Sequence, residues 1–174
     1  MPARELRKRI TTISQESLEF DESVLFNLCP WTVSLDPKAP IAHEAELIDV
    51  LQKLGLWSVI DSKGGLQTRL KVLGLSHGQK QLLCIARACM QKLIMGTNLV
   101  IIDEATSNLD KETEKAAQKV MEAAFRHSTV LTVAHQIETL LSTTMTLEMS
   151  NSQIVALSYR NPPIAPVMWK GALR

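Results

Sequence analysis

Two short groups of residues in this 174-residue chain have the types and spacing to do chemistry. Asp103 and Glu104 are adjacent carboxylates that follow directly on the apolar run Leu99-Val100-Ile101-Ile102. Carboxylates at the carboxyl end of a parallel strand suit a hard cation and a polarised water. The second group is Ser76, Gly78 and Gln79. Ser76 followed three residues later by Gln79 is the Ser-x-x-Gln pattern of a capping box, which opens a helix. Gly78, between them, leaves room for another molecule to approach the backbone. Unpaired N–H groups at a helix start, with the positive end of its dipole, favour a phosphate.

The elements that must position these groups are legible in the pattern. Leu82, Leu83, Ala86 and Met90 follow Ser76 at helical spacing and anchor the helix in a core. Gly96-Thr97-Asn98 breaks that helix, and the unbroken run Leu99 to Ile102 predicts a strand covered on both faces. Upstream, Arg9 to Ser14 alternates and is β-branched, which predicts a strand ending at Gln15. Downstream, Asp110 can cap a helix from Lys111 to about Arg126, with Ala116, Ala117, Val120, Met121, Ala124 and Phe125 as its apolar face. Thr129 to Val133 is a further strand, leading into Ala134-His135.

Three of these stretches together carry a family resemblance. LSHGQ, Leu75 to Gln79, resembles the signature motif of ATP-binding cassette (ABC) proteins. LVIIDEAT resembles their Walker B strand with its glutamate, and SNLD, Ser107 to Asp110, is similar to their D-loop. The wording GQKQLLCIARA is most similar to subfamily C, the multidrug-resistance-associated exporters. Each motif alone is weak, but their order and spacing are specific.

The resemblance implies roles residue by residue. Asp103 would hold Mg2+ through water, Glu104 would polarise the attacking water, and Gln15 would head a Q-loop touching metal and water. His135 would be the switch histidine. Ser76, Gly78 and Gln79 would bind the γ-phosphate of ATP held by an opposing domain, packed head-to-tail, and Asp110 would belong to the loop linking the two sites. Departures exist: His77 replaces a small or apolar residue, Gln136 stands where Arg is common, and no proline follows Gln15-Glu16. The implied fold class is α/β, an incomplete P-loop NTPase domain of ABC type. It has a mostly parallel sheet flanked by helices, a small helical subdomain at about 18–90 and a carboxyl-terminal β-hairpin. Residues 1–158 would be the partial domain and 159–174 an extended or disordered tail rich in proline.

No GxxxxGK[ST] occurs in the chain, and no lysine is followed by Ser or Thr. That loop cradles the phosphates with backbone N–H groups and a lysine. The resemblance therefore implies that the chain starts after it, with a sheet short of several strands and exposed edges. The implied function is the nucleotide-binding portion of an exporter, an ATPase when complete and inactive alone. Its partners would be a second nucleotide-binding domain and transmembrane domains holding it at the cytoplasmic face of a membrane. The alternative is a non-catalytic module that lends its signature helix to a partner or docks on membrane helices.

Composition narrows the classes further. Lys plus Arg is 19 and Asp plus Glu 18, which gives no global charge to attract nucleic acid or anionic lipid. The three cysteines, Cys29, Cys84 and Cys89, form no Cys-x-x-Cys pair and favour a reducing compartment. No apolar run approaches the ~20 residues of a membrane-spanning helix. Ile41 to Leu54 predicts an amphipathic helix closed by Gly55, with His43 on its surface and without a role. Val24, Leu25, Phe26 and Leu28 fit either a partner-facing patch or a subdomain core. Thr144 to Met149 and Gln153 to Leu157 predict a hairpin about Ser150-Asn151-Ser152.

Overall fold

The architecture is that of a computed structural model describing residues 5–6, 8–31, 43–134 and 143–159. The described residues fall into two compact units, one within residues 1–133 and one within 134–174.

In the first unit, strands β1 (Ile10–Ile13), β2 (Leu99–Asp103) and β3 (Thr129–Val133) form a parallel sheet in the order β1-β2-β3. Helices α1 (Val24–Leu28), α2 (Glu44–Lys53), α3 (Trp57–Asp61) and α4 (Leu70–Leu73) come between the first two strands, with a 3-10 turn at Gly65–Gln67. They are followed by the long helix α5 (His77–Met95). Helix α6 (Lys111–Ala124) connects β2 to β3. The start of β1 is tied to the turn before β2 by a buried 2.6 Å hydrogen bond between the Thr11 and Thr97 hydroxyls.

Helix α5 is the centre of the unit. Every residue from Gln81 to Met90 is buried except Arg87, which is half-buried. A helix apolar on one stripe covers a core, whereas one buried all round is the core. Accordingly α1, α2, α6 and β1 all pack directly on α5. It ends where Gly96 takes φ +63°, donating its N–H to Lys92 O at 2.9 Å, a left-handed cap that a residue with a Cβ resists. Cys84 and Cys89 fill this core as free thiols, and burial pushes the Cys89 thiol up to about 12.

The structure decides one alternative and corrects one expectation. Val24, Leu25 and Leu28 are buried against α5, so the segment after Gln15 is core; its exposed apolar side chains are Leu18 and Phe20. The strand β2 is not covered on both faces among the described residues. Val100 is fully buried, but Leu99 and Ile101 on the opposite face are half-buried, and on β3 Leu131, paired with Ile101, and Val133, paired with Asp103, are 52% and 49% exposed. The apolar run reports what the strand needs on each side, and the helices here supply one side only.

Other boundaries moved slightly. The helix expected over Ile41 to Leu54 runs from Glu44, with Ile41 outside the described residues. Its His43 is exposed, as expected, and has φ +59°. Trp57 to Ile60 lie in the short helix α3, with Leu56 as its cap residue.

The second unit contains an antiparallel hairpin of β4 (Met145–Ser150) and β5 (Gln153–Tyr159). Its turn carries Asn151 and Ser152 at φ +49° and +61° without any glycine. The pair lies in the left-handed region that two-residue hairpin turns require. Residues from 160 on, where the tail is expected, lie outside the described residues.

Because α5 is packed on every side, truncating it leaves a cavity that cannot collapse. Ile85→Ala, at 0% exposure, is expected to cost about 2–5 kcal/mol. Urea unfolding of the two chains measures the difference.

Candidate functional site

The first part of the site is the amino-terminal turn of α5. Ser76 is extended (φ −66°, ψ 165°), the geometry of a cap residue. Its hydroxyl accepts from Gln79 N–H at 3.2 Å, and the Gln79 side-chain oxygen accepts from Ser76 N–H at 2.9 Å. The capping box is thus closed in both directions. It leaves the N–H groups of His77 and Gly78 as first-turn donors with no acceptor within the helix. Ser76 and His77 are exposed, and Gly78 and Gln79 are half-buried, so the turn is presented at the surface.

Gly78 has a neighbour the sequence does not announce. A Cβ built on it would stand 3.3 Å from the Asn108 carbonyl oxygen and 3.3 Å from Leu109 Cδ2. The close approach that the missing side chain permits is made, in this chain, by its own Ser107 to Asp110 loop.

The loop itself is built from local bonds. Ser107 N–H donates to Glu104 O at 3.3 Å and Leu109 N–H to Thr106 O at 3.1 Å. The Thr106 hydroxyl donates to Glu114 Oε1 at 3.0 Å, tying the loop to α6. Asp110 closes it as the cap of α6: its carboxylate accepts from Glu112 N–H (3.1 Å), Thr113 N–H (3.0 Å) and the Thr113 hydroxyl (2.6 Å). The Thr113 hydroxyl and then the Thr113 N–H hold the Asp110 carboxyl below its ordinary range.

The second part lies at the carboxyl ends of β1 and β2. The parallel register pairs Ile13 with Ile102, so the next residues, Ser14 and Asp103, stand level as their strands end. A depression of about 490 Å³ opens there, lined by Ser14, Gln15, Glu16, Ser17, Leu18 and Asp103. Gln15 and Asp103, distant in sequence, therefore share one hollow. The Ser14 hydroxyl donates to Glu16 O at 2.8 Å and shapes the loop's turn.

Glu104 follows with φ +46°, a left-handed backbone that non-glycine residues rarely adopt. Its N–H is held by Val133 O at 3.2 Å, at the end of β3. Such conformations cost on the order of 1–3 kcal/mol and gather at functional sites. His135 lies outside the described residues.

Sequence reasoning missed two contributors: Glu114, which holds Thr106, and Arg87, which reaches the backbone of the Gln15 loop. For Arg87 a signal existed, a lone charge among apolar residues in the middle of a core helix.

Fold and site together define an α/β domain with an exposed capped helix turn and carboxylates at parallel strand ends. Comparison with known proteins gives the family. The profile of the ABC transporter family matches residues 1–107. ABC multidrug transporter B of Aspergillus fumigatus is 37% identical over 141 residues, which are 81% of this chain and 9% of that protein. The human ATP-binding cassette sub-family C member 2 is 32% identical over 155 residues, 87% of this chain and 9% of that protein. The solved structure of a bacterial Atm1-family ABC exporter with ATP bound shares the fold at a TM-score of 0.71 and 24% identity, covering 90% of this chain and 26% of that one. The chain belongs to the ABC transporter family, as part of a nucleotide-binding domain similar to those of subfamily C. It spans about a tenth of the length of these curated relatives.

Two outcomes follow. Gly78→Ala pushes on an exposed loop that can give, so stability is expected to change by no more than about 1 kcal/mol. The amide resonances of Asn108 and Leu109 should nevertheless move in a nitrogen–proton NMR spectrum, and shifts confined to α5 would contradict the contact. For Asp110, whose folded pKa is depressed, the cap stabilises fully above the ordinary aspartate range. That contribution is lost as pH falls through the depressed value. Asp110→Asn keeps a good cap but is expected to flatten this acid-side slope, measured as urea midpoints against pH.

Proposed function

We propose that this chain supplies one half of an ATP-hydrolysing clamp in an exporter. Its α5 turn faces ATP on an opposing domain, and its strand-end carboxylates serve ATP bound on its own side. The observation that carries this reading is the shared hollow of Gln15 and Asp103 at the carboxyl end of a parallel sheet. In it, Ser14, Gln15, Glu16, Ser17 and Asp103 offer oxygen donors of the kind Mg2+ prefers. Among the described residues no three His, Cys, Asp or Glu gather as a complete metal cage. Mg2+ at nucleotide sites is generally held by one or two carboxylates, its waters and substrate phosphates. When bound, Mg2+ neutralises charge on the phosphates.

The residues then divide the work. Asp103 would hold the ion, and Gln15 and His135 would orient the attacking water. Glu104 polarises that water, its position fixed by the strained turn after β2. Ser76, Gly78 and Gln79 bind the γ-phosphate of ATP carried by the opposite domain, packed head-to-tail. The first-turn N–H groups of His77 and Gly78 add to the same positive helix end. Asp110 is the end of the loop that passes between the two sites. Residues 18–90 act as the helical subdomain of a partial domain over 1–158, and the exposed Leu18 and Phe20 face transmembrane helices. Among the described residues no helix is long and apolar enough to cross a membrane, so those helices come from another segment or chain. In this reading the domain works in export at the cytoplasmic face of a membrane.

Phosphoryl transfer is governed by positioning and charge neutralisation, and the 174 residues contain no GxxxxGK[ST]. We therefore expect the chain alone to bind Mg2+-ATP with no saturation up to millimolar concentration. Added to an ABC domain with an intact GxxxxGK[ST], it should tighten ATP binding to that domain, and Gly78→Asp should abolish the gain. Fluorescent-ATP titrations measure both. Micromolar, Mg2+-dependent binding by the chain alone would contradict the proposal, as would an unaltered partner.

A further inference from the structure

Arg87 interrupts the buried stretch of α5 with a charge, and burial pulls its pKa down. A buried guanidinium persists where its donors are satisfied. Here the acceptors are main-chain carbonyls far away in sequence. Nε donates to Asn27 O, and Nη2 donates to Leu18 O at 2.7 Å. The guanidinium also lies 5.8 Å from the centre of the Phe20 ring, within cation–π range.

The same short segment is held from three further sides. Asn27, fully buried, pairs with the backbone of Phe20 in both directions: it accepts from Phe20 N–H at 2.8 Å and donates to Phe20 O at 3.0 Å. Lys80, one turn into α5, forms a 2.9 Å ion pair with Glu19, each about one-third exposed. The Phe20 ring meets Phe26 edge-on at 5.5 Å. Residues Leu18, Glu19 and Phe20 are therefore bound to α5 and α1. Residues Ser14 to Ser17, just before them, show no side-chain bond to α5. Leu18 is itself a wall of the depression that contains Gln15 and Asp103.

We propose that Arg87 is a positioning residue for that depression. It fixes the far end of the Gln15 loop to α5, as β1 fixes the near end. Gln15 then has only the four-residue span Ser14 to Ser17 in which to move relative to Asp103. The capped turn with Gly78 and Gln79 and the anchor of the Gln15 loop thus belong to one helix. The inference rests on the proposed role of Gln15 for its functional meaning, but its geometry does not need nucleotide.

Amide hydrogen exchange on the nucleotide-free 174-residue chain tests it. Arg87→Gln removes both charge-assisted bonds and is expected to raise exchange at Gln15 to Phe20 by about tenfold or more. Arg87→Lys keeps the charge with a single head group and should raise it by a smaller factor. In both, amides of Leu83 to Met90 and of β2 should exchange as in the unaltered chain, which a general loss of packing would not allow. Should Arg87→Gln fail to fold, Arg87→Lys decides alone. Exchange at residues 15–20 unchanged in a folded variant, or raised equally throughout the unit, would overturn the proposal. Since ATP is absent, a failed titration with nucleotide leaves this result standing, and the reverse also holds.

Discussion

The structure depends on one helix that must be core for most of its length and surface at one end. From Gln81 to Met90, α5 is enclosed by β1, α1, α2 and α6, and at Ser76 and His77 it is open to solvent. The transition takes a single turn, and the capping box makes it possible. Without the reciprocal bonds between Ser76 and Gln79, the first donors of the helix would lack partners and the turn would fray. Rigid burial behind the turn and complete capping within it leave a fixed pair of backbone donors, the arrangement an anion needs.

The remaining site residues are referred to that helix by contact. The loop from Glu104 to Asp110 rests its Asn108 carbonyl and Leu109 side chain on Gly78, so the glycine joins two motifs within one chain. The loop's other end is locked by Asp110 as the cap of α6 and by Thr106 on Glu114. On the far side, Arg87 and Lys80 carry the Gln15 loop. The left-handed Glu104 stands between these constraints, held by Val133 O and by its own turn. Its strain is sustained because the neighbouring strand and loop leave the backbone no alternative.

What the sequence disclosed was local. Capping boxes, helix periodicity and the Asp110 cap involve neighbours within four residues, and β3 and the Ser76 cap fall where the pattern puts them. The parallel sheet with flanking helices was implied by the family resemblance that the three motifs carry. The parts that were not legible are long-range. Arg87 binds carbonyl oxygens, which carry no residue identity, so no pattern marks its partners. Gly78 meets a backbone oxygen for the same reason. An apolar run such as Leu99 to Ile102 states that both faces want cover without stating which segment supplies it. The alternatives for Val24, Leu25 and Leu28 were likewise decided by where α5 passes, which only three dimensions give.

The central claim is that the capped turn of α5 is a nucleotide-facing surface completed by another domain. Disulfide trapping reads it directly, because the native cysteines Cys29, Cys84 and Cys89 are all buried. Ser76→Cys would be paired with a single cysteine in the glycine-rich phosphate loop of an opposing ABC domain. The account predicts a cross-link that forms with Mg2+-ATP and not with buffer alone. No cross-link, or one equally abundant without nucleotide, would contradict it.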